Sequence, residues 1–183
     1  MHMKLIVAVD RNWGIGYKNQ LIISLADDMK RFKQLTQHDV VIYGRKTLES
    51  FPGGRPLPDR VNIILSRNPA IKVPDANVCR NINQLGKKLQ QYPEKPAWVI
   101  GGESVYRQLM RYCRKAYVTQ IDQTYEADAA FPDLDHEQGW ELVYEEPWQE
   151  GVNRLSPDKE VVRFRYLHYQ QLLSISKIHL NPK

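Results

Sequence analysis

The chain reads as an α/β protein whose largely parallel sheet is covered by helices, with ligands expected at the carboxyl ends of the strands. Three observations predict it. Short runs of β-branched and apolar residues recur along the chain, as in "KLIVAV", "DVVIYG", "RVNIILS" and "PAWVIGG". Segments with helical character separate most of them. Two of the runs end at glycine with a helix opening directly behind, at Gly44 and at Gly101-Gly102.

Taken in order, Lys4 to Val9 suits a buried strand, and "DRNWGIGYKNQ" carries enough Gly and Asn for a mobile loop. A helix follows over about 25–36. "DVVIYG" (39–44) is a second buried strand, "RKTLES" a short helix and "RVNIILS" (60–66) a third strand. "NVCR" (77–80) is a weaker strand before the helical "INQLGKKLQQY". "PAWVIGG" (96–102) leads into the helix "ESVYRQLMRY", and "KAYVTQID" is another strand. "WELVYEEPW" and "EVVRFRYLHY" alternate in the manner of a strand pair that closes the sheet by a hairpin.

With 183 residues, 42% hydrophobic and 26% charged, the chain has the size of one domain with a proper core. The opening apolar run is too short for a signal peptide and nothing approaches a membrane span, so the cytoplasm is the expected location. Cys79 and Cys113 lack a C-x-x-C spacing and read as core thiols, and the five histidines show no metal-binding spacing. A formal charge of +5 favours anionic partners, yet no nucleic-acid motif is present, and small anionic ligands fit as well.

The helix "SLADDMKRF" poses a chemical question. On a wheel of 3.6 residues per turn Leu25, Met29, Phe32 and Leu35 form an apolar stripe, and Asp28 falls inside it. Asp27 lies on the other side, where water or a pairing with Arg31 satisfies it. Ser24 reads as the N-cap, with Ser24-x-x-Asp27 resembling a capping box. A first helical turn welcomes negative charge, but an acid on the inward face needs a partner, and often has a function.

Two strand-to-helix junctions have the chemistry of phosphate sites. At Gly44-Arg45-Lys46-Thr47 a glycine allows close backbone approach beside two cations and a hydroxyl. Gly101-Gly102-Glu103-Ser104 repeats the geometry without the cations. Ser66-Arg67 adds a hydroxyl and a guanidinium suited to a phosphomonoester. Gly14-x-Gly16 lacks the third glycine of a dinucleotide fingerprint.

From Met3 to about Tyr169 the chain resembles dihydrofolate reductase. The resemblance rests on "VAVDRNWGIGYKNQL", "DDMKRFK", "VIYGRKTLESF", "GRPLPDRVNIILSR", "WVIGGESVY", "YVTQID" and "ADAAFPD", in the family's order and near its spacing. It implies an eight-stranded, mostly parallel sheet with an antiparallel C-terminal edge strand and four flanking helices. The domain would span 1–169, with 170–183 as a C-terminal extension of unassigned role. The implied reaction is hydride transfer from NADPH to C6 of dihydrofolate with protonation at N5, and antifolates are the implied inhibitors. A monomer needing neither nucleic acid, membrane nor metal is expected.

Under that resemblance Asp28 matches the family's catalytic acid and Thr119 the threonine whose hydroxyl supports it. Ile6, Phe32 and Phe51 match the walls around the pterin and benzoyl groups. Arg60 matches the arginine that forks onto the glutamate α-carboxylate, with Arg55 helping from the rim. For the cofactor, Ala8 and Ile15 match nicotinamide contacts, and Gly16, Gln20 and Leu21 lie in the segment matching the mobile lid (12–21). Gly44, Arg45, Lys46 and Thr47 match the pyrophosphate loop. Ser66 and Arg67, with Arg45, match the 2′-phosphate cluster, and Arg80 offers a further cation. Gly101, Gly102, Glu103, Ser104, Val105 and Tyr106 match the second phosphate loop.

Four positions depart from the family. Ile22-Ile23 stands where a Pro-Trp pair is usual, and Ala26 where a Pro precedes the acid. The usual indole holds a water near the pterin carbonyl, so Ile23 implies slower proton delivery. Ser104 stands where many relatives carry a basic residue. Two other readings fit the same residues: a related NADPH-dependent reductase of riboflavin synthesis, which would not be expected to need both Asp28 and Arg60, and a pterin- or nucleotide-binding protein without turnover.

Overall fold

The computed structural model of the protein describes residues 3–172. Its main sheet contains nine strands, built as predicted from apolar runs that alternate with helices. β1 (Met3–Val9), β4 (Val40–Gly44), β5 (Val61–Leu65), β6 (Ala76–Cys79), β7 (Ala97–Gly101) and β8 (Cys113–Ile121) run parallel, in the order β8-β1-β7-β4-β5-β6. The helices are α1 (Ala26–Thr36), α2 (Arg45–Ser50), α3 (Ile82–Leu89) and α4 (Glu103–Leu109). β12 (Val161–Gln171) lies antiparallel to β8.

The period of two along each central strand makes two cores from one sequence. Leu5, Val7 and Val9 of β1, Val40 and Ile42 of β4, and Ala97 and Val99 of β7 belong to one cluster. Their alternates Ile6, Val41, Tyr43 and Trp98 belong to a second, against which Phe32, Leu35, Phe51 and Leu57 pack. A third cluster joins Ile23 and Leu25 to Ile121, Val162, Phe164 and Tyr166. Cys79 and Cys113 are free, buried thiols, as expected.

Several local expectations are corrected. The simple hairpin at the C-terminal side is replaced by two short strands, β10 (Trp140–Glu145) and β11 (Gln149–Val152), which both pair with β12, so β12 has strands on both sides. β12 also continues through Gln170 and Gln171, past the expected boundary at 169, because those residues pair with Glu141 and Trp140. The rest of the proposed extension, 173–183, lies outside the described residues. The segment 12–21 is not all loop: β2 (Gly14–Tyr17) and β3 (Gln20–Leu21) form a small sheet with β9 (Ala129–Ala130).

The start of α1 also differs. Leu25, not Ser24, is the N-cap, and no side chain caps the helix. Ser24 is held elsewhere, its N–H donating to Asn153 Oδ1 and its carbonyl accepting from Arg154 N. Met29 is 42% exposed, so the inward face runs instead through Leu25 and Thr36, which are buried, and Asp28, Phe32 and Leu35, which are half-buried.

Candidate active site

α1 and β8 bring Asp28 and Thr119 together across 91 residues of sequence. Thr119 Oγ1 donates to Asp28 Oδ1 at 2.5 Å. Thr119 is buried, and its register partner on β1 is Ala8, so both lie at the carboxyl end of the parallel strands. Burial pushes the Asp28 carboxyl above its usual range, and the Thr119 hydrogen bond and the charge of Arg31 only partly oppose that. Among the described residues no lysine, arginine or histidine forms an ion pair with Asp28. The suggested Asp27–Arg31 pairing is absent from that set as well. Arg31 turns the other way, toward β12.

The three residues expected as walls share one apolar cluster. Ile6, Phe32 and Phe51 all belong to the second apolar cluster, and Phe51 meets Tyr43 edge to face at 5.1 Å. Arg60 stands at its border, its guanidinium carbon 5.7 Å from the Phe32 ring centre. Its Nε donates to Thr36 Oγ1 at 2.9 Å and its Nη1 to the Pro58 carbonyl at 2.7 Å, which orients the fork. A cavity of about 630 Å³ lies between residues 54–60 and 73–75 and touches both Arg55 and Arg60, but not Asp28.

Sequence reasoning missed the residue that shapes this rim. Asn62, buried on β5, accepts from Tyr43 Oη and Leu57 N and donates to the Leu57 and Arg60 carbonyls. Those four bonds use its whole amide and fix the 57–60 turn that carries Arg60. The signal was available: a lone Asn inside the apolar "RVNIILS".

The two phosphate junctions are neighbours because β4 and β7 pair directly, Tyr43 opposite Gly101. Side chains would have little room between them. A Cβ on Gly44 would come within 3.2 Å of Val105 Cγ2, and Cβ atoms on Gly101 and Gly102 within 3.3 and 3.4 Å of Thr47 Oγ1. Gly101 also has φ of +129°, which side-chain-bearing residues rarely adopt. The Gly101–Gly102 peptide is cis. Bare backbone and a hydroxyl at adjoining strand ends fit a dinucleotide phosphate bridge.

The remaining cofactor candidates divide by what already engages them. Lys46 and Arg67 are exposed, and Ser66 is half-buried, its N–H donating to the Cys79 carbonyl at the end of β6. Arg45 pairs with Glu49 along α2. Arg80 clamps the carbonyls of Asn68 and Pro69 at 2.8 and 2.9 Å, so it braces the loop of Arg67. Glu103 accepts from Arg107 Nε and Ala130 N, and Ser104 is held by Gln108. Val105 and Tyr106 are core residues; Tyr106 Oη donates to the Ile6 carbonyl at 2.7 Å, and burial raises its phenol.

The segment after β1 is anchored at its root. Asp10, 1% exposed, accepts from Asn12 N, Gly14 N and Tyr125 N. Trp13 packs on Phe131 and Tyr169 with ring centres 6.2 and 6.1 Å away. Ile15 and Gly16 lie on β2, half-buried, while Gln20 and Leu21 on β3 are exposed, Leu21 by 54%. Ile23, at the tryptophan position of the family pattern, is 4% exposed in the third cluster.

No helix among the described residues is long and apolar enough to cross a membrane, and no group of three potential metal ligands occurs among them. Comparison with known proteins returns one family. The model for "Dihydrofolate reductase" matches residues 2–171. A dihydrofolate reductase of Aedes albopictus is 37% identical over 71% of this chain and 78% of its own length. That of Bacillus subtilis is 36% identical over 79% and 83%. A solved dihydrofolate reductase of Enterococcus faecalis, complexed with NADP(H) and RAB-propyl, superimposes with a TM-score of 0.75 at 31% identity, covering 93% of this chain and 96% of its own.

Proposed function

The chain belongs to the dihydrofolate reductase family, and from that premise we propose how its own residues share the reduction of 7,8-dihydrofolate to 5,6,7,8-tetrahydrofolate with NADPH. The observation that carries the reading is Asp28, a carboxylate sunk beside an apolar wall, supported by Thr119 and lacking a cationic partner among the described residues. A half-buried, desolvated carboxylate in that position is satisfied by a complementary guest. The 2-amino group and adjacent ring N–H of a pterin supply two parallel donors to its two oxygens.

Asp28 thereby orients the ring and favours protonation at N5 through water; it does not act as a nucleophile. Thr119 holds the carboxylate and reaches the 2-amino group. Ile6 and Phe32 exclude water from the ring faces, Phe51 lines the benzoyl passage, and Arg60 takes the glutamate α-carboxylate with Arg55 at the rim. Bound NADPH supplies the hydride that reaches C6. Gly44 to Thr47 and Gly101 to Gly102 would hold its phosphate bridge, with Ser104 to Tyr106 behind them. Ser66, Arg67, Lys46 and Arg45 would take its 2′-phosphate, while Arg80 braces their loop. Ala8 and Ile15 would meet the nicotinamide, and Gly16, Gln20 and Leu21 would close over it.

In the same reading the protein is a single-domain cytoplasmic monomer whose partners are small molecules, antifolates among them. The riboflavin-pathway reductase is not favoured by the family match. Loss of NADPH absorbance on adding dihydrofolate, lost in turn by Asp28→Asn, tests the assignment.

A further inference from the structure

Arg31 stands one helical turn beyond Asp28 on α1, a spacing at which acid and arginine ordinarily pair. Here the guanidinium is drawn off. Its carbon lies 3.8 Å from the Tyr166 ring centre and its Nη2 lies 2.9 Å from His168 Nε2. A guanidinium only donates, so His168 Nε2 accepts and the imidazole is neutral with its proton on Nδ1. Burial and the charges of Arg31 and Lys115 favour that neutral form, against Glu146. The His168 ring is itself held by Tyr117 at 4.6 Å and Tyr144 at 5.0 Å.

The register explains the arrangement. Tyr166 on β12 pairs with Thr119 on β8, and His168 with Tyr117. The strand position that holds Asp28 is thus adjacent to the one that holds Arg31. Acid and cation, one turn apart on α1, are docked on two neighbouring strand positions.

We propose that Tyr166 and His168 are positioning residues that hold Arg31 away from Asp28 and so keep the carboxylate open to the substrate ring. This rests on the reading that Asp28 binds the pterin. Without the His168 acceptor, Arg31 closes an internal ion pair with Asp28 that competes with substrate. Apparent affinity then falls by the fraction of molecules left open, whereas saturating substrate still displaces the pair.

The test is a mutant cycle read as KM for dihydrofolate against kcat. His168→Leu raises KM about tenfold with little change in kcat, the value for one molecule in ten left open. Adding Arg31→Met to His168→Leu returns KM toward the starting value, which a purely structural role of His168 does not allow. His168→Gln, which retains an acceptor, keeps KM low. An unchanged KM in folded His168→Leu, or a double variant as poor as the single one, overturns the proposal. In the unmutated protein, 15N shifts of His168 should report the Nδ1–H tautomer, and an Nε2–H tautomer overturns it without any variant. Asp28→Asn in the same series separates the two ideas: an unchanged KM there refutes the pterin role of Asp28, whereas a raised KM beside an unaffected His168→Leu refutes the positioning role alone.

Discussion

Thr119 donates its hydroxyl proton to Asp28 from a strand 91 residues away in sequence, so the carboxylate is held by the sheet and not by its own helix. Removing that hydroxyl isolates its contribution. Thr119→Val keeps the shape and loses a hydrogen bond to a charged group, about 1.5–3 kcal/mol, hence kcat/KM should fall by about 10- to 100-fold. Because the bond lowers the Asp28 pKa, its loss should move the acid limb of the pH–rate profile to higher pH.

Asp28→Asn removes the charge and keeps the size. Turnover at neutral pH should fall by about a hundredfold or more, with partial recovery in acid where the substrate protonates without help. Stability should go the other way. The folded pKa is raised above 3.8, so the folded state binds the proton more tightly than the unfolded chain. Ionising Asp28 then costs stability as pH rises from the unfolded value through the folded one. Asn escapes that cost: Tm at neutral pH should equal or exceed that of the unmutated protein, and the difference should vanish in strong acid. A lower Tm for the variant at neutral pH would contradict the burial argument.

Arg60→Lys replaces an oriented fork with a point charge and loses the bonds to Thr36 and Pro58. KM for dihydrofolate should rise by about tenfold or more, the cost of a bidentate carboxylate contact, while a reduced pterin without the glutamate tail should show no change. Equal losses on both substrates would place Arg60 outside the tail site.

Ile23→Trp tests the departure from the family pattern in the third cluster. An indole restores a donor for a bound water, and turnover should rise. The side chain must also enter a packed cluster with Leu25, Ile121 and Phe164, and that overpacking should cost about 1–3 kcal/mol and lower Tm. Slower turnover in the folded variant would separate Ile23 from proton delivery.

Much of this was legible in the sequence, for identifiable reasons. The alternation of "KLIVAV", "DVVIYG" and "PAWVIGG" with helical segments states the parallel sheet, since strands buried on both faces have no polar period to confuse them. Asp28 was legible because its helix is otherwise clearly amphipathic. The cap of α1 was not, because Ser24 is bound to Asn153 and Arg154, contacts that exist only after folding. The brace made by Arg80 was obscured for the same reason: its bonds are to the carbonyls of Asn68 and Pro69, which the fold brings near. Met29 misled because a wheel describes a face, not what covers it.

The segment after β1 is held unevenly along its length. Asp10 ties three amides from two chain segments, and Trp13 is rooted between Phe131 and Tyr169, whereas the pairing of Gly14 to Leu21 is with a two-residue strand and a two-residue return. The axle of any opening motion is therefore set just before Gly14. On the lid reading, what would swing is a short flap, while the end of β1 stays bolted to β8.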